Sequence, residues 1–349
     1  HLSDHYNLSI LFLLFLFLKS YSFNIIYYLI NYNKLKNMKC FICGLNLKKF
    51  SSNYYIKSNK YNIHKCKACH TGFTIPKLSK KNLNKLYSSN IYRNTKGERF
   101  KSIFQKIFDY FNLLKAYKLN LLLNKQSNIL DIGCGDGKIL SFLKQKGHNV
   151  IGTEYKIKKN SILVNNKKIP IYSNKKALRK KNKYDLIILA HVLPHLHDVN
   201  KIINKIKISL KNTGLVYISM PNFSSTQSKL SKSNWFHLDI PRHIYHFSDK
   251  TFIKYMHKKK FSLKKKVRSE YHHIFFGWLQ SLLNIFLDEK NLLFNYLSIF
   301  KKRINLYKFI KLFLLTFLLI PFSLILTFLE IVQLMKPSII VYYFSKRVS

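Results

Sequence analysis

The segment Asn128-Ile-Leu-Asp-Ile-Gly-Cys-Gly-Asp-Gly-Lys138 constrains this chain more than any other. Its apolar run, Ile129-Leu130 and Ile132, reads as a buried parallel strand, which breaks into glycines at Gly133, Gly135 and Gly137. An apolar-periodic helix follows from Lys138, with Ile139, Leu140, Phe142 and Leu143 on its inner face. Glycines at such a corner let the main chain turn sharply and let a ligand lie against bare backbone. Strand, glycine turn and helix in this order open a parallel α/β sheet.

The spacing is Gly-x-Gly-x-Gly, not the Gly-x-Gly-x-x-Gly that cradles a pyrophosphate on a helix N-terminus. Asp131, at the strand end, places negative charge where a dinucleotide's phosphates would be repelled. A cationic ligand such as S-adenosylmethionine tolerates it. Asn149-Val-Ile-Gly-Thr-Glu154 reads as a second strand ending in an acid, placed to accept both hydroxyls of a ribose. Acids are scarce, 14 Asp+Glu against 61 Lys+Arg, so two of them at ligand-facing strand ends favour a binding role over a solvated surface.

On these residues the chain resembles the class I S-adenosylmethionine-dependent methyltransferases, over roughly 126–270 with a completing strand near the C-terminus. The resemblance implies a Rossmann-like seven-stranded methyltransferase sheet, S-adenosyl-L-methionine as cofactor, and cofactor contacts from Asp131, Gly133, Cys134, Gly135, Gly137, Glu154 and His191. Residues 184–191 match the family's fourth strand and continue into His191-Val-Leu-Pro-His195, where Pro194 stands in place of the usual Glu. Residues 214–221 look like the fifth strand. Trp235-Phe-His-Leu-Asp-Ile-Pro-Arg-His-Ile-Tyr-His-Phe-Ser248 is close to a segment of one large bacterial subgroup. Ser248 is expected to cap a helix over 249–260. The third strand, 169–172, precedes Ser173-Asn174, where many relatives carry an adenine-contacting Asp.

Upstream, Cys40-x-x-Cys43 and Cys66-x-x-Cys69 are two thiolate pairs separated by 22 residues, near the spacing of a four-cysteine zinc ribbon. Gly44 and Gly72 follow the pairs closely, as tight knuckles require. Four thiolates leave no open coordination position, so zinc here is expected to be structural, with Cys40, Cys43, Cys66 and Cys69 as ligands. Disulfides are the alternative; His64 and His70 are possible substitute ligands. The same methyltransferase subgroup often carries such a module.

The net charge of +47 would ordinarily point to nucleic acid or anionic lipid. Only seven of the 61 basic residues are Arg, the side chain suited to bidentate phosphate recognition. Lys, Asn, Ile, Tyr and Phe abound, as adenine- and thymine-rich codons would produce. Residues 1–37 include an uninterrupted apolar run, 10–18, without a basic flank before it, and no Met precedes Met38. This extension is expected to be an anchor, a disordered segment or sequence upstream of the true start, the last being favoured.

The expected layout is therefore an apolar extension (1–37), a zinc ribbon (38–72), a helical linker and lid (73–125), a methyltransferase domain (126–272), an apolar helical insert (273–336) and a final strand (337–349). Within the lid, 101–124 carries helical spacing, and Tyr87 and Tyr92 precede it, with ordinary packing their expected role and approach to the ligand the alternative. The insert falls between the sixth strand (261–268) and the seventh (338–344), which pair in this fold. Residues 312–329 are uncharged and long enough to span a bilayer. A single crossing would separate two strands of one sheet, so a helical hairpin is expected, lying at a membrane interface or capping the soluble domain, with Pro321 kinking the longer helix.

Methyl transfer to a hydroxyl or carbon acid needs a base, and His titrates near neutrality. His195 and His243 occupy recurring positions of the family and are the expected catalytic residues. His197, His237 and His246 lie in the same loops. The acceptor is expected to be a small molecule, a sugar or a lipid-linked compound, in a cytoplasmic protein with peripheral contact to the inner face of the membrane. An RNA methyltransferase and a non-catalytic membrane-associated scaffold are the alternatives.

Overall fold

The computed structural model describes residues 39–347, apart from 50–53, 57–58, 80–81, 83–85, 87–97, 155–159 and 300–303. The expected extension over 1–37, together with Tyr87 and Tyr92, lies outside the described residues. Four strands come first: β1 (Leu47–Lys49), β2 (Tyr54–Ile56), β3 (Asn59–Cys66) and β4 (Gly72–Ile75). Helix α1 (Ser102–Asn120) leads to β5 (Asn128–Ile132), α2 (Lys138–Gln145), β6 (Asn149–Thr153), β7 (Ser161–Val164), β8 (Lys167–Tyr172) and β9 (Tyr184–Ala190). There follow α3 (Val199–Ser209), β10 (Leu210–Pro221), β11 (Tyr245–His246), α4 (Asp249–Lys258) and β12 (Phe261–Val267). Helices α5 (Tyr271–Phe286), α6 (Leu292–Leu297) and α7 (Leu306–Ile331) precede the last strand, β13 (Ile339–Lys346).

The large sheet runs β12-β13-β10-β9-β5-β6-β8-β7. Strands β10, β9, β5, β6 and β8 are mutually parallel, and β13 slots between β10 and β12 antiparallel to both. The pairing expected of the sixth and seventh strands is thus formed. Both faces are buried, because alternate residues of β5 and β9 point to opposite sides. Leu130, Ile132, Ile187 and Leu189 enter one core with α3 and α4, while Ile129, Leu186 and Ile188 enter the other with α1 and α2.

The sheet has eight strands where seven were expected. The addition is β7, an antiparallel edge strand joined to β8 through Asn165 and Asn166, both in left-handed backbone (φ 46° and 59°). Two consecutive Asn with positive φ make a tight two-residue hairpin turn. Its Ile162 presses on the start of α2, where a Cβ added at Gly137 would meet the Ile162 Cδ1 at 2.4 Å.

The N-terminal module does not stop at its expected boundary. Strand β4 runs past residue 72 and pairs with β11 from the methyltransferase half, giving a sheet β1-β3-β4-β11 with β2 on β3. Phe41 sits edge-on to Phe73, Tyr245, Phe247 and Tyr255, fusing the two cores. Ser248 does occupy the N-cap of α4, but its hydroxyl donates to the His70 carbonyl (3.2 Å) instead of accepting from the helix.

The insert is a helical hairpin. Leu279 and Leu283 of α5 pack with Leu312 and Leu319 of α7, while Ile274 and Trp278 meet Leu326, so the two helices run antiparallel. Helix α7 continues through Pro321 as one helical segment. Proline removes one main-chain donor, and the surrounding turns are held by the packing on α5.

Candidate active site

The chemistry-bearing residues gather at the carboxyl edge of the sheet, where β5, β6, β9 and β10 end. Gly133, Gly135 and Gly137 all have positive φ (75°, 61° and 73°), so the turn after β5 is a left-handed path that side chains resist. The Gly135 amide donates to the Glu154 Oε1 at 2.5 Å, which fixes the acid of the β6 tip against the turn. Asp131 is buried at the end of β5; burial first, then the neighbouring Glu154, push its carboxyl well above the usual range. Two acids and bare backbone suit a ligand with hydroxyls and positive charge and disfavour phosphates. Cys134 contributes main chain alone, since its buried sulfur packs into the second core with Ile171 and Leu140.

His191 ends β9 in left-handed backbone (φ 56°), and Val192 directly after it lies against Gly133. Its ring faces Glu270, Nε2 to Oε2 at 3.2 Å. Glu270, 2 % exposed, is the hub of this side: Lys115 from α1 lies 2.8 Å away, the Tyr217 hydroxyl donates at 2.9 Å, and His273 approaches at 3.5 Å. Burial alone would raise the Glu270 carboxyl; Lys115, His191 and His273 overcome it and hold it well below the usual range. His272 stacks on Phe111 of α1 with ring centroids 4.0 Å apart. Helix α1 reaches this cluster through Lys115 and Phe111.

A second cluster lies one loop over. His195 and His243 sit with ring centroids 4.5 Å apart. The Nδ1 of His195 bonds the Arg242 carbonyl (3.1 Å) and that of His243 the His237 carbonyl (2.9 Å), so in each ring Nδ1 carries the proton and Nε2 is the basic nitrogen. Burial lowers both imidazoles below their ordinary value, and the two stay neutral at neutral pH. Asp239 approaches His243 Nε2 at 3.8 Å and is itself gripped by Arg242 (2.5 Å). His191 lies near enough to His237 and His243 for its charge to act on both, so the two clusters are neighbours. Pro194 is buried between them, its carbonyl accepting from the Ile244 amide (2.8 Å).

Both clusters combine two His with one carboxylate within 4.8 Å, a set that could ligate a cation. In each, a fixed positive charge already occupies the carboxylate: Lys115 on Glu270 and Arg242 on Asp239. They are better described as hydrogen-bonded acid–base networks.

The four ribbon cysteines converge: Cys40 and Cys69 sulfurs are 3.4 Å apart, Cys43 and Cys66 3.3 Å, and all are free thiols. Tetrahedral zinc with bonds of ~2.3 Å sets sulfurs about 3.8 Å apart, so the cluster has the right size for that ion. Neither His64 nor His70 joins the cluster. The knuckles close through Gly44 to Cys40 (2.7 Å) and His70 to Cys66 (3.1 Å). The left-handed residue of the second knuckle is His70 (φ 59°), not the expected Gly72. Gly72 instead lies in β4, where a Cβ would strike Phe223 at 2.8 Å. The ribbon reaches the loop of His243: Thr74 Oγ1 donates to the His243 carbonyl (2.6 Å) and contacts His246 Nε2 (2.9 Å).

Lys115, Tyr217, Asp239, Glu270 and His273 were not singled out from the sequence. The scarcity of acids that marked Asp131 and Glu154 applies equally to Asp239 and Glu270.

Residues 102–265 match a family model described as a methyltransferase domain. A ubiquinone biosynthesis O-methyltransferase from Pelagibacter ubique is 26% identical over 123 residues, covering 32% of this chain and 50% of the relative. The chain thus spans about half the length of that curated relative. Among solved structures, a SAM-dependent methyltransferase from Archaeoglobus fulgidus is similar at 16% identity, covering 70% of this chain and 98% of that one, with a TM-score of 0.43. A 1,6-didemethyltoxoflavin-N1-methyltransferase from Burkholderia thailandensis shares 13% identity over 63% of this chain and 92% of its own, with a TM-score of 0.40. Residues 102–265 thus form a methyltransferase domain, and they carry the acid-tipped glycine turn within the large sheet.

Proposed function

We propose that this chain transfers a methyl group to a hydroxyl or carbon of a small-molecule, sugar or lipid-linked acceptor, with the His195–His243 pair receiving the acceptor's proton. S-adenosylmethionine, when bound, supplies the electrophilic methyl group. The observation that carries the reading is the pair itself: two neutral imidazoles at the ligand-binding edge, each with Nδ1 on a backbone carbonyl, which makes Nε2 the basic nitrogen. His243 is the better base, because Asp239 at 3.8 Å stabilises the imidazolium once it forms. Asp131, the glycine turn, Glu154 and His191 hold the cofactor. The ribbon's four cysteines hold a structural zinc, with no open position for chemistry. The relative whose name specifies an O-methyltransferase supports oxygen as the acceptor atom. The protein is expected to work in the cytoplasm, peripherally on the inner membrane face.

The test incubates the full chain and methyl-labelled S-adenosylmethionine with separated lipid, polysaccharide and RNA fractions. Label is expected in lipid or saccharide, and His243→Asn should lower turnover by about 10²–10⁴-fold with cofactor affinity retained. Uptake into RNA alone, abolished by ribonuclease, overturns the proposal.

A further inference from the structure

Helix α7 is built inside out for a helix in water. Its buried positions include Ser323, Thr327 and Glu330, while Phe313, Phe317, Phe322, Leu324 and Phe328 are each more than half exposed. A surface helix of a soluble domain shows the reverse pattern. The Ser323 and Thr327 hydroxyls turn inward and bond the carbonyls of Leu319 (2.7 Å) and Ser323 (2.6 Å), so no polar group is offered outward there. Between residues 312 and 329 the sequence has no charged residue, and Lys308 and Lys311 precede it. The helix is about 39 Å long, from 26 residues at ~1.5 Å each.

The same hairpin reaches the chemistry. Helix α5 starts at the Glu270–His273 cluster, and its Gly277 lies on the second cluster, where a Cβ would fall 2.4 Å from His237 Nε2. Phe236 N donates to the Ser281 Oγ (2.9 Å) and Asn284 to the Asn234 carbonyl (2.9 Å), so the body of α5 continues along that loop. Helix α7 packs antiparallel along α5, and β12 and β13 at the two ends of the insert are paired with each other. A single crossing of a bilayer is incompatible with that pairing. The apolar face and the acid–base crevice are thus two sides of one short hairpin.

We propose that α7 lies in the interface of an anionic bilayer, its Phe-rich face among the acyl chains and its N-terminal lysines on the headgroups, and that the acceptor is an amphiphile of that bilayer whose reactive head enters along α5. This rests on the methyltransferase reading and names its substrate class. The occupant is lipid because the face is apolar over the length of the helix and Lys308 and Lys311 fringe its N-terminal end.

The test floats the full chain with vesicles of phosphatidylcholine, with or without one-quarter phosphatidylglycerol, and follows label from S-adenosylmethionine into membrane lipid extract incorporated in them. Binding to the anionic vesicles should exceed binding to neutral ones by about tenfold and fall with salt. The double variant F313E/F317E should lose about tenfold in binding and in lipid labelling, with cofactor affinity by calorimetry unchanged. A variant that floats as the wild type does, a wild type that stays unbound, or a dimer that F313E/F317E dissociates overturns the proposal. Failure of the wild type to bind S-adenosylmethionine would instead overturn the methyltransferase reading, whatever the vesicles show.

Discussion

Substituting Lys115 by Met tests whether the crevice is the closed network described. The side chains of Lys115 and Glu270 are 11% and 2% exposed and meet at 2.8 Å. Removing the ammonium leaves a buried carboxylate with the Tyr217 hydroxyl at 2.9 Å and two imidazoles as its remaining partners. Breaking one side of a buried ion pair costs about 3–5 kcal/mol; the surviving donors place this case near the lower end, about 3 kcal/mol. The sign with pH is fixed. In the wild type the folded carboxyl lies below its unfolded value, so its stabilisation is complete above that value and is lost as pH falls through the folded one. In Lys115→Met the foremost of the groups that hold the carboxyl down is gone, so the folded carboxyl rises from its wild-type position. The penalty is then largest at neutral pH and shrinks as the medium is acidified. Urea denaturation of the wild type, Lys115→Met and Lys115→Met/Glu270→Gln at pH 7 and pH 5 reads all three quantities. The double variant should recover part of the loss at pH 7. A cost under about 1 kcal/mol that ignores pH, or a double variant less stable than the single, refutes the buried hub.

Thr74→Val removes a hydroxyl that bonds the His243 carbonyl from the ribbon side, and should lower stability by about 1–3 kcal/mol. It should lower kcat more than it changes cofactor affinity, with Thr74→Ser restoring both; equal turnover by the Val variant would separate the ribbon from catalysis. Because Asp131 holds its proton well above the usual carboxylate range, a bound sulfonium should draw it into the ionised form and release a proton. Calorimetry in two buffers of different ionisation enthalpy detects that release, and Asp131→Asn should abolish it; identical proton counts in both proteins would refute the assignment. Metal analysis should find about one zinc per chain, and thiols fully free in metal-replete protein would remove the ribbon zinc.

Much of this architecture was legible in the sequence because apolar runs and glycine corners are local signals. The turn at Gly133 to Gly137, the acids at both strand tips and the paired sixth and seventh strands all follow from short segments. What escaped depends on contacts across the chain. Lys115 and Glu270 are 155 positions apart (270 − 115), and no periodicity in either segment announces their meeting. The fusion of β4 with β11 likewise joins strands whose sequences, Gly72–Ile75 and Tyr245–His246, are too short to carry a pairing signal. β7 was legible in principle, since Asn165-Asn166 is a recognisable hairpin turn between two short apolar runs. The continuation of α7 past Pro321 accompanies its packing on α5, a contact that local rules for proline do not contain.

The assignment of the cofactor to the glycine turn after β5 is tested most directly by isothermal titration of the full chain with S-adenosylmethionine, its demethylated thioether and a pyridine dinucleotide. Saturable binding of the sulfonium and the thioether, one per chain, with no heat from the dinucleotide, is the expected result. Clear uptake of the dinucleotide with none of the sulfonium would contradict it.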